Sequence, residues 1–140
     1  MKRIALICNA TSGTSVDPAE LVRLFGVHHA QGQVFDVTKP KDTIKSGIRD
    51  GGIELLVASG GDGTVNSVAQ LAVETGAALA VIPTGTFNHF SKDIQIPQSV
   101  EAAIDIALNG KKVNIDYGTV NGQVFVNSTS IGAYPQALVH

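Results

Sequence analysis

The sequence has one cysteine, no tryptophan and little net charge. Cys8 alone excludes a disulfide framework and a cysteine zinc site, which suits a reducing cytosol. The 10 basic and 12 acidic residues leave a formal charge of −2, so no cationic excess is available for a nucleic-acid backbone. With 44% hydrophobic residues in 140, the chain is too apolar for a disordered tail. We expect one cytoplasmic folded domain that binds no nucleic acid.

Long hydrophobic segments are also missing. The apolar run at residues 4–8 is shorter than the roughly seven residues of a signal-peptide core. Residues 77–82 fall far short of the roughly 20 that a spanning helix needs. We therefore expect neither an export signal nor a membrane span, which leaves transient, peripheral contact at the inner face of a membrane.

Short apolar runs alternate with capped, amphipathic segments along the chain. Asp17, Pro18 and Glu20 predict a capping box at the start of the first helix, and Gly26 predicts its end. The predicted strands cover residues 4–8, 33–37, 53–58 and 78–82, and the predicted helices cover residues 18–25, 40–49, 65–75 and 100–109.

This alternation predicts a three-layer, Rossmann-like α/β fold with a mostly parallel sheet and helices on both faces. Asn121-Gly122 between residues 113–120 and 123–127 adds a C-terminal β-hairpin. In such sheets, ligands bind beyond the carboxyl ends of the strands. The residues that follow each strand are therefore the candidates for function.

Four polar, glycine-rich segments follow predicted strands: residues 9–13 (NATSG), Thr38, residues 60–66 (GGDGTVN) and residues 83–88 (PTGTFN). Glycines without Cβ atoms let an anion approach the main chain closely. Thr64 is predicted to open a helix whose N-terminal N–H groups point back at this loop. Together these features predict a phosphate-binding loop, and the alternative is a tight turn that needs glycine for its geometry alone.

Asp62 is an acid within a loop that carries no lysine, so the loop is not a Walker A motif. A carboxylate beside phosphates makes chemical sense when Mg²⁺ lies between them. Asp62 is therefore predicted to bind Mg²⁺ or to act in catalysis. The alternative is a turn carboxylate that accepts from its own backbone.

Residues 60–64 (GGDGT) resemble a signature shared by diacylglycerol, sphingosine and NAD kinases. Residues 83–88 resemble the P-x-G-T-x-N segment of the diacylglycerol kinase catalytic domain, and residues 9–13 resemble its N-P-x-S-G start. Residues 116–118 and 125–132 resemble later segments of that family. Five matches in the family's order cover nearly the whole chain.

The resemblance implies a fold like that of phosphofructokinase and NAD kinase, and a lipid kinase. Such an enzyme transfers the γ-phosphoryl group of ATP to a hydroxyl of diacylglycerol or a similar lipid, with Mg²⁺, in phospholipid biosynthesis. It also implies a catalytic and Mg²⁺-binding role for Asp62. The implied nucleotide contacts are Asn9, Thr11, Ser12, Gly13, Thr38, Gly60, Gly61, Asp62, Gly63, Thr64, Asn66, Gly85, Thr86 and Asn88.

The sequence departs from the family at three positions. His89 stands where the family often has aspartate, Thr14 where many members have a basic residue, and Ala10 where proline is usual. Family members also continue into a second, β-rich domain that helps form the lipid cleft and supplies the general base. We therefore expect a nucleotide-binding domain at residues 1–128, a crossover into that second domain at residues 129–140, and no activity from this fragment alone.

Two other functions remain open. One is a non-catalytic, ATP-binding regulatory module, and the other is a relative of NAD kinase, which the Thr86-Phe87-Asn88 pattern disfavours. The apolar tail at residues 131–139 is expected to be disordered, folded onto its own domain or paired with a second copy. We favour the second copy, which predicts a homodimer.

Overall fold

The structure is a computed structural model that describes residues 2–9, 16–84, 92, 96–110, 112–113, 118–121, 123–125 and 138–139. The helices in these ranges are α1 (Pro18–Val27), α2 (Lys41–Asp50), α3 (Asp62–Thr75) and α4 (Val100–Asn109). The strands are β1 (Lys2–Cys8), β2 (Ala30–Asp36), β3 (Leu55–Gly60), β4 (Ala78–Pro83), β5 (Lys112–Val113), β6 (Gly118–Val120), β7 (Gln123–Phe125) and β8 (Leu138–Val139).

Six of these strands form one sheet in the order β2-β1-β3-β4-β8-β5. The first four are mutually parallel, while β8 runs antiparallel to β4 and parallel to β5. The predicted mostly parallel sheet is therefore confirmed.

The predicted hairpin is also confirmed, because β6 and β7 pair antiparallel in a sheet of their own. Asn121 in its turn has φ 51°, as a turn of this kind requires. The two strands are shorter than predicted, and Val113 belongs to β5 of the large sheet.

Helices cover both faces of the parallel part of the sheet. On one face, Val22 of α1 and Ile4 of β1 approach Gly32 of β2. On the other, a Cβ at Gly47 of α2 would lie 2.6 Å from the Phe35 ring, so glycine lets α2 pack closely on β2. Helix α3 packs on β3 beside α2, and α4 packs on β4 beside α1, which completes three layers.

The core follows from this layering. Strands β3 and β4 are buried along their whole length, and β1 is buried from Ile4 to Cys8, as parallel strands between two helix layers should be. Phe25, Ile44 and Ile48 close the core from the helices. In the part of the chain that the structure describes, no helix has the length and hydropathy to cross a bilayer.

The capping box predicted for α1 is wrong, although its N-cap is right. Asp17 Oδ1 accepts a hydrogen bond from the Ala19 backbone N–H at 2.9 Å. The Glu20 carboxylate instead accepts from Arg23 Nε at 2.9 Å, one turn further along the helix. The helix also continues past its predicted end at Gly26 to Val27, and the left-handed residue that follows it is His29, with φ 63°.

Several strand boundaries differ from the prediction because pairing, not composition, decides them. β2 begins at Ala30 rather than Gln33, since residues 30–32 pair with the start of β1. β3 begins at Leu55 rather than Ile53, whose N–H donates to Ile48 O (3.1 Å) and so closes α2.

The tail residues Leu138 and Val139 lie in the chain's own sheet as β8, between β4 and β5. For these two residues the structure matches the alternative in which the tail folds onto its own domain. The rest of residues 131–139 lies outside the described residues.

Candidate functional site

The carboxyl ends of the four parallel strands lie side by side. The pairing sets Cys8 opposite both Asp36 and Ser59, and Gly60 opposite Pro83. Since neighbouring strands lie about 4.8 Å apart, four strand ends fall within about 14 Å. The four segments predicted to bind a ligand therefore leave the sheet at one edge.

The described members of the predicted site gather at this edge: Asn9, Thr38, Gly60, Gly61, Asp62, Gly63, Thr64 and Asn66. The other predicted contacts, Thr11, Ser12, Gly13, Gly85, Thr86 and Asn88, lie outside the described residues. So do the departures Ala10, Thr14 and His89.

The N-terminus of α3 is built without a capping side chain. The helix begins at Asp62, two residues before the predicted start at Thr64, and Gly61 is its N-cap in an extended conformation. Val65 donates the first helical hydrogen bond to Gly61 O at 3.0 Å. The preceding N–H groups have no acceptor within the helix, and they carry the positive end of its dipole. This arrangement suits an anion.

Gly60 is required by the fold itself. Its φ is 156°, which side chains rarely adopt, and an added Cβ would lie 2.8 Å from Thr64 Oγ1 and 2.9 Å from Thr64 Cβ. Thr64 is buried against this glycine. Turn geometry alone, the alternative to phosphate binding, is therefore enough to explain the glycine at position 60.

Gly63 differs from Gly60 in both respects. It lies exposed in the first turn of α3, and a Cβ built there meets no heavy atom within 4 Å. Glycine inside a helix costs about 1 kcal/mol relative to alanine. The packing of the described residues gives no reason for that cost, so the bare backbone of Gly63 fits close approach by a ligand.

The Thr38 turn is held by an acid that the sequence analysis did not single out. Asp36 Oδ1 accepts from the Thr38 backbone N–H at 2.9 Å and from Thr38 Oγ1 at 2.7 Å. Val37 continues the ladder by donating to Cys8 O at 2.8 Å. The carboxylate fixes the direction in which Thr38 leaves β2. The sequence feature that could have predicted this turn is an acidic residue at the end of a strand, two positions before a threonine.

Metal binding at this edge depends on one predicted ligand. Asp62 is half-buried at the start of α3. Within the described ranges, no three His, Cys, Asp or Glu side chains cluster to hold a metal ion. Mg²⁺ that travels with a nucleotide needs only one or two carboxylates beside phosphate oxygens and waters. The donor set therefore fits nucleotide-bound Mg²⁺ rather than a metal held by protein alone.

Buried polar side chains concentrate at the same edge. Among the described residues, Ser59, Thr64 and Thr84 are the buried polar ones, at 1%, 8% and 8% exposure. Ser59 Oγ lies 3.4 Å from Thr84 Oγ1. Burial raises the pKa of the Cys8 thiol, a hydrogen bond with Ser59 opposes that rise, and the nearby Asp36 charge adds to it. The sequence analysis did not single out Ser59, and it included Thr84 only within the segment of residues 83–88 without giving it a role.

A cleft of about 330 Å³ lies at the opposite edge of the sheet. Arg3, Gln31 and Gln33 line it, and Arg3 Nη1 donates to Gly51 O at 3.1 Å. These residues lie at the amino ends of β1 and β2, remote from the glycine-rich segments. The cleft is therefore separate from the candidate site.

Comparison with known proteins identifies a family and several relatives of this chain. The family model of the diacylglycerol kinase catalytic domain matches residues 3–120. A probable YegS-like lipid kinase of Klebsiella pneumoniae is 41% identical over 83 residues, which are 57% of this chain and 28% of that protein. A diacylglycerol kinase of Staphylococcus epidermidis is 32% identical over 143 aligned positions, 96% of this chain and 45% of that protein.

The solved structures agree on the fold. A putative diacylglycerol kinase from Bacillus anthracis superposes with a TM-score of 0.68 at 24% identity, over 90% of this chain and 45% of that one. The chain spans less than half the length of these relatives.

Proposed function

The chain belongs to the diacylglycerol kinase catalytic domain family, and we propose that it forms the ATP-binding part of a lipid kinase. The proposed reaction moves the γ-phosphoryl group of ATP to a hydroxyl of diacylglycerol or a similar lipid and leaves ADP. One observation carries the proposal: the predicted nucleotide segments leave neighbouring strand ends at a single edge. The relatives named as lipid kinases support the reaction class.

The α3 N-terminus is proposed to bind the phosphates. Its uncapped first turn presents N–H groups, and Gly63 leaves the backbone open to close approach. Asn9 and Thr38, at the ends of β1 and β2, are proposed to add polar contacts from the neighbouring segments. Phosphoryl transfer depends mainly on such positioning and on charge neutralisation.

Asp62 is proposed to hold Mg²⁺ together with the phosphate oxygens of the nucleotide. When bound, the ion would neutralise charge on the transferring phosphoryl group. Asp36 is a weaker candidate ligand, since its Oδ1 already accepts two hydrogen bonds from Thr38.

The general base and the lipid acceptor site are proposed to lie elsewhere in the protein. The division into residues 1–128 and a crossover at residues 129–140 stays a prediction, as do the inactivity of this part alone and its peripheral contact with membranes. A homodimer likewise stays a prediction.

ATP binding should depend on Mg²⁺ and on Asp62. Calorimetry of the purified protein with ATP, with and without Mg²⁺, is expected to show binding that weakens when Mg²⁺ is chelated. Asp62→Asn should remove most of the Mg²⁺ dependence, whereas Asp50→Asn, an exposed acid at the end of α2, should preserve it. Tight binding that ignores both Mg²⁺ and Asp62→Asn would remove the metal role.

Because this part alone is predicted to be inactive, the reaction is tested with the full-length protein, ATP radiolabelled at the γ-phosphate, and a panel of lipids to which NAD is added. We expect labelled phosphate on diacylglycerol or a related lipid alcohol. ATP binding without transfer to any lipid would favour the non-catalytic regulatory module, and transfer to NAD would favour the NAD kinase alternative.

A further inference from the structure

A buried polar row crosses the carboxyl ends of three neighbouring strands. Cys8 and Ser59 are paired opposite each other in β1 and β3, and Ser59 Oγ reaches Thr84 Oγ1, just beyond β4, at 3.4 Å. Deeper in the sheet, the same face carries apolar side chains such as Leu6 and Val57. The polar row therefore marks the boundary between the core and the candidate site.

Stability alone does not explain these hydroxyl groups. A buried hydroxyl must be hydrogen-bonded to offset its desolvation. Ser59 interacts with both Cys8 and Thr84, and among the described residues no buried side-chain N or O lacks a partner. Alanine and valine at these two positions would extend the apolar surface without that requirement. Ser59 and Thr84 are therefore polar at positions where the core would also accept apolar side chains.

Their position in the chain points to another role. Ser59 directly precedes Gly60 and the glycine-rich turn into α3, while Thr84 directly follows β4 and opens the next predicted segment. The Thr84 backbone N–H also donates to Gly60 O at 3.4 Å. Thr84 therefore links the start of the segment after β4 to the end of β3 through both its side chain and its backbone.

We propose that Ser59 and Thr84 are positioning residues, which hold the segment after β3 and the segment after β4 at the separation that the nucleotide phosphates require. The inference rests on the proposed function and deepens it. Neither residue is assigned a contact with the nucleotide, so both act through the backbone segments that they anchor. A hydrogen bond is directional and apolar packing is not, so hydroxyl contacts resist sliding of the end of β3 past the end of β4 better than apolar side chains would.

Ser59→Ala and Thr84→Val test the proposal in the purified protein. Each is expected to raise the Kd for ATP with Mg²⁺ by about threefold to tenfold, because binding must then supply the ordering of the two segments that about one hydrogen bond gave the free protein. Because Ser59 and Thr84 act as a pair, the double variant should bind ATP only slightly more weakly than whichever single variant has the lower ATP affinity. Thr84→Ser keeps the hydroxyl and should bind ATP like the wild type.

Thr75→Val is the matched control. It removes a hydroxyl that donates to Leu71 O at 2.7 Å at the far end of α3. The urea midpoint of each site variant should fall no further than that of this control, while ATP affinity falls only in the site variants. An affinity loss that merely follows the loss of stability, or one that Thr84→Ser does not restore, would overturn the proposal.

The possible results distinguish a failure of the positioning role from a failure of the proposed function. If the wild type binds no ATP, the proposed function fails first. If the wild type binds ATP and both Ser59→Ala and Thr84→Val bind it equally well, only the positioning role is wrong. Because Ser59→Ala is a small change, it decides the question even if Thr84→Val does not fold.

Discussion

Gly60→Ala is the substitution that most directly tests the geometry at the end of β3. The backbone there has φ 156°, and a Cβ would lie 2.8 Å from Thr64 Oγ1 and 2.9 Å from Thr64 Cβ. The nearer atom is the side-chain oxygen of a buried residue. Rotation of Thr64 about χ1 moves Oγ1 but leaves its Cβ in place. The overlap can therefore be relieved only by moving the start of α3 or the end of β3.

The expected effect is the sum of two penalties and one gain. A backbone conformation unsuited to side chains costs about 1–3 kcal/mol. Forcing an extra carbon into a packed site costs about 1–3 kcal/mol more. Alanine restricts the unfolded chain and returns about 0.4–1 kcal/mol. We therefore expect Gly60→Ala to lower the free energy of unfolding by about 1–5.5 kcal/mol.

Urea denaturation measures this loss, and Gly76→Ala provides the control. Gly76 has φ 73°, but a Cβ there meets nothing within 4 Å, so its substitution reports backbone strain without overlap. A left-handed conformation costs about 1–2 kcal/mol, and with the same gain from the unfolded chain Gly76→Ala should cost at most about 1.6 kcal/mol. The reasoning is refuted if Gly60→Ala proves no more destabilising than Gly76→Ala.

Three further predictions concern single side chains. Gly63→Val should keep a near wild-type urea midpoint but lose ATP binding in calorimetry, because its Cβ meets open space where the ligand is proposed to lie. Cys8 should react slowly with a thiol reagent until urea unfolds the protein, because burial raises the pKa of its thiol. Since the folded protein favours the neutral thiol, the free energy of unfolding should fall as pH rises above the ordinary pKa of a thiol. Gln70 and Lys45 hold the pKa of Glu74 below its ordinary range. The urea midpoint of Glu74→Gln should therefore fall below that of the wild type at neutral pH. The difference should shrink as pH falls below about 4.3 and vanish once pH is below the lowered native pKa.

Strong local patterns predicted the fold well. Continuous apolar runs located β1, β3 and β4, because a strand covered by helices on both faces has no polar side to interrupt it. The predicted end of the third helix at residue 75 was correct, and Gly76 follows it with a φ of 73°, which suits glycine best. These signals are contained within a few consecutive residues, so they can be recognised without knowledge of the partner strands.

Features that depend on distant partners were harder to predict. The polar start of β2 is a strand because β1 lies beside it, which composition does not reveal. Glu20 has two competing partners, a backbone N–H and the Arg23 side chain, and a sequence pattern cannot choose between them. Ser59 and Thr84 are 25 residues apart in the chain. Their contact follows only from the pairing of β3 with β4.

The glycine-rich segment had two competing explanations, a tight turn and a phosphate loop, and the structure separates Gly60, which the turn explains, from Gly63, for which phosphate binding stays a proposal. Gly60 is explained by its φ and by Thr64, so its loss would unfold this region whether or not a nucleotide binds. Gly63 has neither constraint among the described residues. Because alanine would be expected to stabilise this part of the helix, we propose that close approach of the nucleotide is the reason for glycine at this position. Gly63, rather than the motif as a whole, is therefore the position at which nucleotide binding and folding can be separated.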